Sequence, residues 1–229
     1  HYNPKKMVIS AAGKVDHDSF VEQLKTKLNN LPNGKSDLPE KANFKSGEYR
    51  EDKKLEQIHL MLGFEVIDYY HDDYYSLEIY DSLIGGGMSS RLFQEIREKR
   101  GLCYSIGTSF DCYSDNGMFL SYAGTSGEKV KELSEVIALE FKNSITSITE
   151  TEVERAKTQL KSSLLMGLEN STSRSERLAR GLIIWDKIVE VQETISKIDT
   201  VKLQDVKSFG AEIFQNSNPA MALYGLALI

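Results

Sequence analysis

The sequence predicts an α+β protein in which a mainly antiparallel sheet packs on helices, and three observations carry that prediction. Residues 58–66, IHLMLGFEV, alternate apolar side chains with the period of a strand. Asn116-Gly117 is a strong hairpin signal between two further alternating runs. Beyond residue 125 the chain reads as mainly helical, with two capping-box patterns.

The totals fit that class. A chain of 229 residues, 40% hydrophobic and 27% charged, has the composition of a globular protein and is long enough to bury a sizeable core without staples. Its net charge of −6 lacks the basic surplus that drives binding to nucleic-acid backbones or anionic membranes, so neither partner is expected. Two cysteines, Cys103 and Cys112, cannot build a disulfide framework and read as buried or idle thiols. No run approaches the roughly 20 apolar residues of a membrane span. The chain begins at His1, so the native N-terminus is expected upstream and targeting is unreadable.

In chain order, Met7 to Ala12 reads as a strand ended by Gly13, and His17 to Leu28 as a helix with Phe20, Val21, Leu24 and Leu28 on one face. Residues 29–54 show no apolar period and read as linker. After the strand at 58–66, Asp72 or Asp73 can cap a helix through Leu77, Tyr80 and Leu83 that stops at Gly85. A second helix follows, then a strand alternating through Leu102, Tyr104, Ile106, Thr108 and Phe110, the Asn-Gly turn, and a strand from Met118 to Ala123. Thr125-x-x-Glu128 and Thr149-x-x-Glu152 match capping boxes, and three or four helices run to about Phe214 before a short strand from Met221 to Ile229. NPKKMVISAAG at 3–13 echoes NPAMALYGLAL at 218–228, as if each closed one copy of a repeated unit.

The stretch GGGMSSRLFQEIREKRGLCYS, residues 85–105, is the candidate for chemistry. A phosphate cradle needs a strand before its glycines and usually a Gly-Lys-Ser/Thr pattern; here a helix precedes them and no such pattern follows. Gly85 can end one helix while Ser89 caps the next. Three glycines exceed that need, and a loop that moves or admits another backbone suits an extended peptide. On the second helix Leu92, Phe93 and Ile96, with Met88 a turn earlier, form the expected buried stripe. Arg91, Glu95 and Lys99 can pair at i,i+4 outside. Arg97 lies between, where it can serve the helix dipole, and Tyr104 shares parity with core positions. His1, His17, His59 and His71 are scattered, and none sits at a spacing that places two imidazoles on one helix face. His71-Asp72-Asp73 reads as a solvated loop and helix cap.

This stretch, with QIHLMLGFEV before it, the hairpin through DNG after it, LKSSLLMGLENSTSRSERLA and the opening YNPKKMVISAAGKVDHDSF, resembles the second domain of the pitrilysin-like zinc metallopeptidases, which include mitochondrial processing peptidase and its bacterial relatives. The resemblance implies two similar α+β domains closing like a clamshell over an unfolded peptide. In this chain that means residues 1–32 as the tail of the first domain, 33–54 as linker and 55–229 as the second domain. The family's first domain carries His-x-x-Glu-His; this sequence has none, so zinc is expected in a first domain or partner chain outside this one, and this chain alone is expected to be inactive.

Residue by residue, the resemblance places Arg97 and Tyr104 as catalytic and substrate-binding groups, where an arginine and a tyrosine reach toward the zinc site and bind the substrate backbone, the guanidinium on a peptide carbonyl and the phenol at the oxyanion. Gly85, Gly86 and Gly87 match a glycine-rich loop that contacts substrate in some members. The implied function is the substrate-binding portion of a zinc metalloendopeptidase acting on peptides or unfolded segments. The alternative is a non-catalytic subunit that binds substrate or scaffolds a zinc-bearing partner, a dimer being one such arrangement. The implied setting is soluble: a bacterial cytoplasm or periplasm, or an organelle matrix.

Overall fold

A computed structural model describes residues 4–32, 34, 40–216 and 218–225. Its elements run α1 (His17–Leu28), β1 (Gly47–Glu51), β2 (Ile58–Val66), α2 (Tyr74–Ile84), a π-helix (Phe93–Lys99), β3 (Ser105–Cys112), β4 (Gly117–Thr125), α3 (Val130–Ser147), α4 (Glu150–Gly167), α5 (Ser171–Trp185), α6 (Val191–Thr200), α7 (Leu203–Asn216) and β5 (Ala220–Tyr224). The chain divides into two compact units, His1–Lys41 with Lys161–Ser196, and Ala42–Leu160 with Lys197–Ile229. Among the described residues no helix is long and apolar enough to cross a membrane.

The larger unit holds a five-stranded sheet in the order β1-β5-β2-β4-β3. β2 pairs antiparallel with β4 along its whole length, from Ile58 opposite Thr125 to Val66 opposite Gly117. β4 pairs antiparallel with β3, and β5 with β2; only β1 against β5 is parallel. The alternation of β2 sends Ile58, Leu60 and Phe64 into the core. The hairpin closes one step earlier than Asn116-Gly117 implies, because Gly117 already pairs with Cys112 and the amide of Tyr113 donates to Asn116 O at 2.7 Å.

The core lies entirely in this unit: every fully buried apolar side chain among the described residues belongs to it. At its centre Phe141 stacks on Phe214 with centroids 4.4 Å apart, and Phe64 meets Phe214 edge-on at 4.9 Å. Tyr80, fully buried in α2, sets its hydroxyl 2.8 Å from Ser144 Oγ. Because Ser144 gives its own proton to Phe141 O, Tyr80 is the donor in that pair. Burial holds the Tyr80 phenol well above its ordinary range.

The smaller unit is held differently. Asp16 caps α1 by accepting from the amide of Ser19, and Asn170 caps α5 by accepting from those of Thr172 and Ser173. Arg177 reaches from α5 to Thr194 Oγ1 at 2.8 Å, and the chain after α5 folds back so closely that a Cβ on Gly181 would lie 2.9 Å from Lys187 O.

Several expectations are corrected. Residues 7–12 form no strand: the backbone makes no ladder among the described residues, and Ser10 Oγ instead donates to Ser175 O at 2.7 Å. The two echoing segments therefore differ, since Pro4–Lys6 form a 3₁₀ turn whereas Ala220–Tyr224 form β5; residues 226–229 of the expected last strand lie outside the described residues. The stretch read as linker contains β1, which its charged GEYRE sequence did not signal. Thr125 caps nothing: it ends β4 and its hydroxyl donates to Leu102 O, so α3 starts at Val130. Thr149 and Glu152 do form the capping box, the Thr149 amide donating to Glu152 Oε2 at 2.9 Å and the Glu152 amide to Thr149 Oγ1 at 3.4 Å. Asp73 precedes α2 without a side-chain cap bond, and five helices, not three or four, follow the hairpin among the described residues.

Candidate functional site

The glycine run is built from the end of α2. The amides of Gly85 and Gly86 both donate to Asp81 O at 3.0 Å, which stops the helix, and Gly85 O accepts from the amide of Thr108 at 3.4 Å. Thr108 lies on β3, the outermost strand of the sheet, so the turn covers part of an edge that would otherwise offer free backbone groups. A Cβ on Gly85 would lie 2.7 Å from Thr108 Cγ2 and closer still to its amide N and Oγ1; one on Gly86 would lie 2.6 Å from Ser82 Cα. Gly87 has room, its nearest neighbour being Gln159 Nε2 at 3.7 Å. Two of the three glycines are thus required by close packing.

After the turn Met88 is 75% exposed, outside the buried stripe expected of it, because the chain is still turning there. Ser89 is in the turn as well, and its carbonyl accepts from Arg155 Nη2 at 3.1 Å. Leu92 and Ile96 are fully buried, while Phe93 is only half-buried. Arg91 does not join the surface ladder expected with Glu95 and Lys99. Its Nε and Nη2 make a bidentate pair with Glu152, both at 2.8 Å, and its Nη1 donates to Ser147 Oγ at 2.6 Å. Glu95 pairs instead with Lys99 at 2.7 Å and Arg100 at 3.1 Å.

Arg97 and Tyr104, the two side chains singled out by resemblance, are brought together. The Arg97 guanidinium carbon sits 5.3 Å from the Tyr104 ring centroid and 4.7 Å from that of Phe93. Both distances fall within the reach of a cation–π contact. Among the described residues the Arg97 guanidinium has no ion pair and no hydrogen-bond partner. Tyr104 is 73% exposed, which departs from its core parity. The reason is local: the chain leaves the π-helix through Gly101 at φ +60, with the Leu102 amide bonded back to Ile96 O, and regular strand begins only at Ser105. Period-two alternation therefore does not extend back to Tyr104.

Phe93 is the residue that sequence reasoning placed wrongly, in the core stripe. Its i,i+4 spacing to Arg97 was the available signal. Asp81 was also overlooked: its Oδ1 is buried without a protein partner, and burial pushes its carboxyl up to about 6 against the opposing hydrogen bond from Thr108.

Among the described residues no group of three His, Cys, Asp or Glu side chains could hold a metal ion. His59 Nδ1 meets Tyr122 OH at 2.8 Å and His71 Nδ1 accepts from the Asp73 amide at 3.1 Å. The thiols are free and half-buried; burial raises both, Cys112 to about 12, which leaves them poor ligands at neutral pH.

The chain is 34% identical over 218 residues to an uncharacterized zinc protease of Rickettsia bellii (strain RML369-C), covering 95% of this chain and 53% of that protein. It is 33% identical over 231 residues to an uncharacterized zinc protease of Bacillus subtilis (strain 168), covering 100% and 55%. The chain spans about half the length of these relatives. Its fold matches that of a protease from Helicobacter pylori, with a TM-score of 0.82 at 21% identity over 93% of this chain and 54% of the other. It also matches a conserved protein from Enterococcus faecalis V583, with a TM-score of 0.75 at 23% identity over 94% and 50%. The family model described as the peptidase M16 inactive domain matches residues 1–160. Because that model covers well over half of the chain, the chain belongs to the peptidase M16 family and matches its inactive domain.

Proposed function

We propose that the chain is the peptide-binding module of a zinc metallopeptidase whose metal lies outside it, and that Arg97 and Tyr104 form its contact with substrate. The observation that carries this reading is the pairing of an exposed phenol with a guanidinium that no carboxylate among the described residues holds. A guanidinium in that state can donate two fixed hydrogen bonds to a peptide carbonyl. The phenol can donate to the oxyanion that develops when the carbonyl is attacked. Zinc, held elsewhere, would supply the activated water. Gly87, the unhindered member of the glycine run, is the position where an extended substrate backbone could pass.

In this reading residues 1–32 are the tail of a zinc-bearing domain and 55–229 the second domain, whose sheet also takes β1 from the stretch between them. The doubled length of the relatives favours a zinc-bearing half on the same polypeptide over a separate subunit.

In the full-length protein, Arg97→Ala and Tyr104→Phe should each lower kcat/KM on an unstructured peptide at least tenfold, on the order of one lost charge-assisted hydrogen bond, with zinc content by elemental analysis unchanged. Wild-type turnover in both variants overturns the reading. Co-purification with a second, zinc-bearing chain would move the metal to a partner subunit.

A further inference from the structure

We infer that Phe93 is a positioning residue for Arg97: it orients the guanidinium while leaving every N–H free for substrate. The inference rests on the proposed peptide-binding role of Arg97. Two features of the structure carry it.

The first is the helix itself. Residues 93–99 form a π-helix, a form that turns up at functional sites more often than its rarity would suggest. Its i→i+5 bonding widens each turn beyond 3.6 residues, so side chains four apart come almost into line. Phe93 and Arg97 are four apart, and the guanidinium carbon lies 4.7 Å from the ring centroid. Residues four apart are neighbours on one face of a regular α-helix too, and the wider turn keeps this pair aligned along that face.

The second is what holds neighbouring cations and what does not hold this one. Arg91 is fixed by a carboxylate, Glu152, and by Ser147; Lys99 and Arg100 are fixed by Glu95. Such partners engage the donors. Arg97 is touched on the face by rings, and a ring attracts a cation through its quadrupole without accepting the in-plane N–H bonds that a carbonyl needs. Phe93 is half-buried and follows the fully buried Leu92 in the chain, which leaves it less room to move than an exposed ring. Tyr104, at 73% exposure, is the looser of the two rings and is assigned to substrate. Phe93 is therefore the fixed element of the three.

The test uses the full-length protein and a peptide substrate. Phe93→Leu keeps an apolar side chain of similar reach and removes the quadrupole; Phe93→Trp and Phe93→Tyr keep it. Phe93→Leu should raise KM about three- to tenfold with kcat changed less than about twofold, and Phe93→Trp or Phe93→Tyr should stay near wild type. In an Arg97→Ala background Phe93→Leu should have no further effect, because there is no guanidinium left to orient. If Phe93→Leu lowers kcat/KM equally in both backgrounds, Phe93 is a packing residue and the inference fails while the reading of Arg97 stands. If Phe93→Leu behaves as wild type while Arg97→Ala is impaired, the inference fails in the same way. If Arg97→Ala itself is unimpaired, the peptide-binding reading fails and this inference fails with it.

Discussion

The guanidinium of Arg97 lies 5.3 Å from the ring centroid of Tyr104, and the two meet only because the chain turns sharply at Gly101 between helix and strand. A flat fork resting on an aromatic face is poorly replaced by a compact ammonium. Arg97→Lys should therefore behave almost as badly as Arg97→Ala, with kcat/KM of the full-length protein down about tenfold. A lysine variant that works as well as wild type would mean that charge alone is needed there.

The glycine run separates two effects within one turn. Gly85→Ala forces a Cβ into Thr108 and should cost about 1–3 kcal/mol, while Gly87→Ala meets only ordinary contact and should stay within about 0.5 kcal/mol of wild type. Denaturant unfolding of both variants checks this, and equal stability would contradict the close approach of the turn to β3.

Arg91 and Glu152 join the segment after the glycines to the start of α4, with both side chains mostly buried. Arg91→Ala should cost about 2 kcal/mol, between the values for exposed and buried pairs, and should leave zinc content untouched. The pair also fixes a pH response. Burial acts to raise the Glu152 carboxyl, but the bonds from Arg91 and Thr149 prevail and bring it down to about 2 from 4.5. Because the folded state releases that proton more readily than the unfolded chain, the contribution is complete above 4.5 and disappears as pH falls toward 2. The acid-unfolding midpoint of Arg91→Ala should move to higher pH.

Asp81 has the opposite sign. Its carboxyl is raised from 3.8 to about 6, so the folded state binds the proton more tightly and stability falls as pH rises through that window. Asp81→Asn keeps the shape, removes the charge and should stabilise the protein at neutral pH by about 1–3 kcal/mol. Below about pH 4, where the wild-type carboxyl is protonated as well, the gain should vanish. Thermal melts of both proteins across that range test it, and a gain that is independent of pH would mean that folding does not shift the Asp81 carboxyl.

Much of the fold was legible where one element carries its own pattern. β2 and the hairpin strands follow from alternation and turn residues, and α1 follows from its apolar face. What escaped depends on partners remote in sequence. GEYRE becomes a strand because Gly47 finds Ala220, and no local property of a charged edge reveals that. Met7–Ala12 has the composition of a strand and finds no sheet neighbour among the described residues. Arg91 had a good local partner in Glu95 and took a better one on α4. At the site, the resemblance singled out Arg97 and Tyr104, but their contact depends on the turn at Gly101 between helix and strand, which the apolar alternation around Tyr104 does not reveal.

The position of β5 bears on the order in which this protein can be made. It lies between β1 and β2, yet it is the last strand to leave the ribosome, so during synthesis β1 and β2 must wait as separated edges with a vacant lane between them. The lane fills only when Ala220–Tyr224 arrive, a late, long-range closure of the kind that slows folding and leaves nascent chains open to mispairing. A stalled or clipped product lacking those five residues would carry two adhesive borders instead of a continuous sheet.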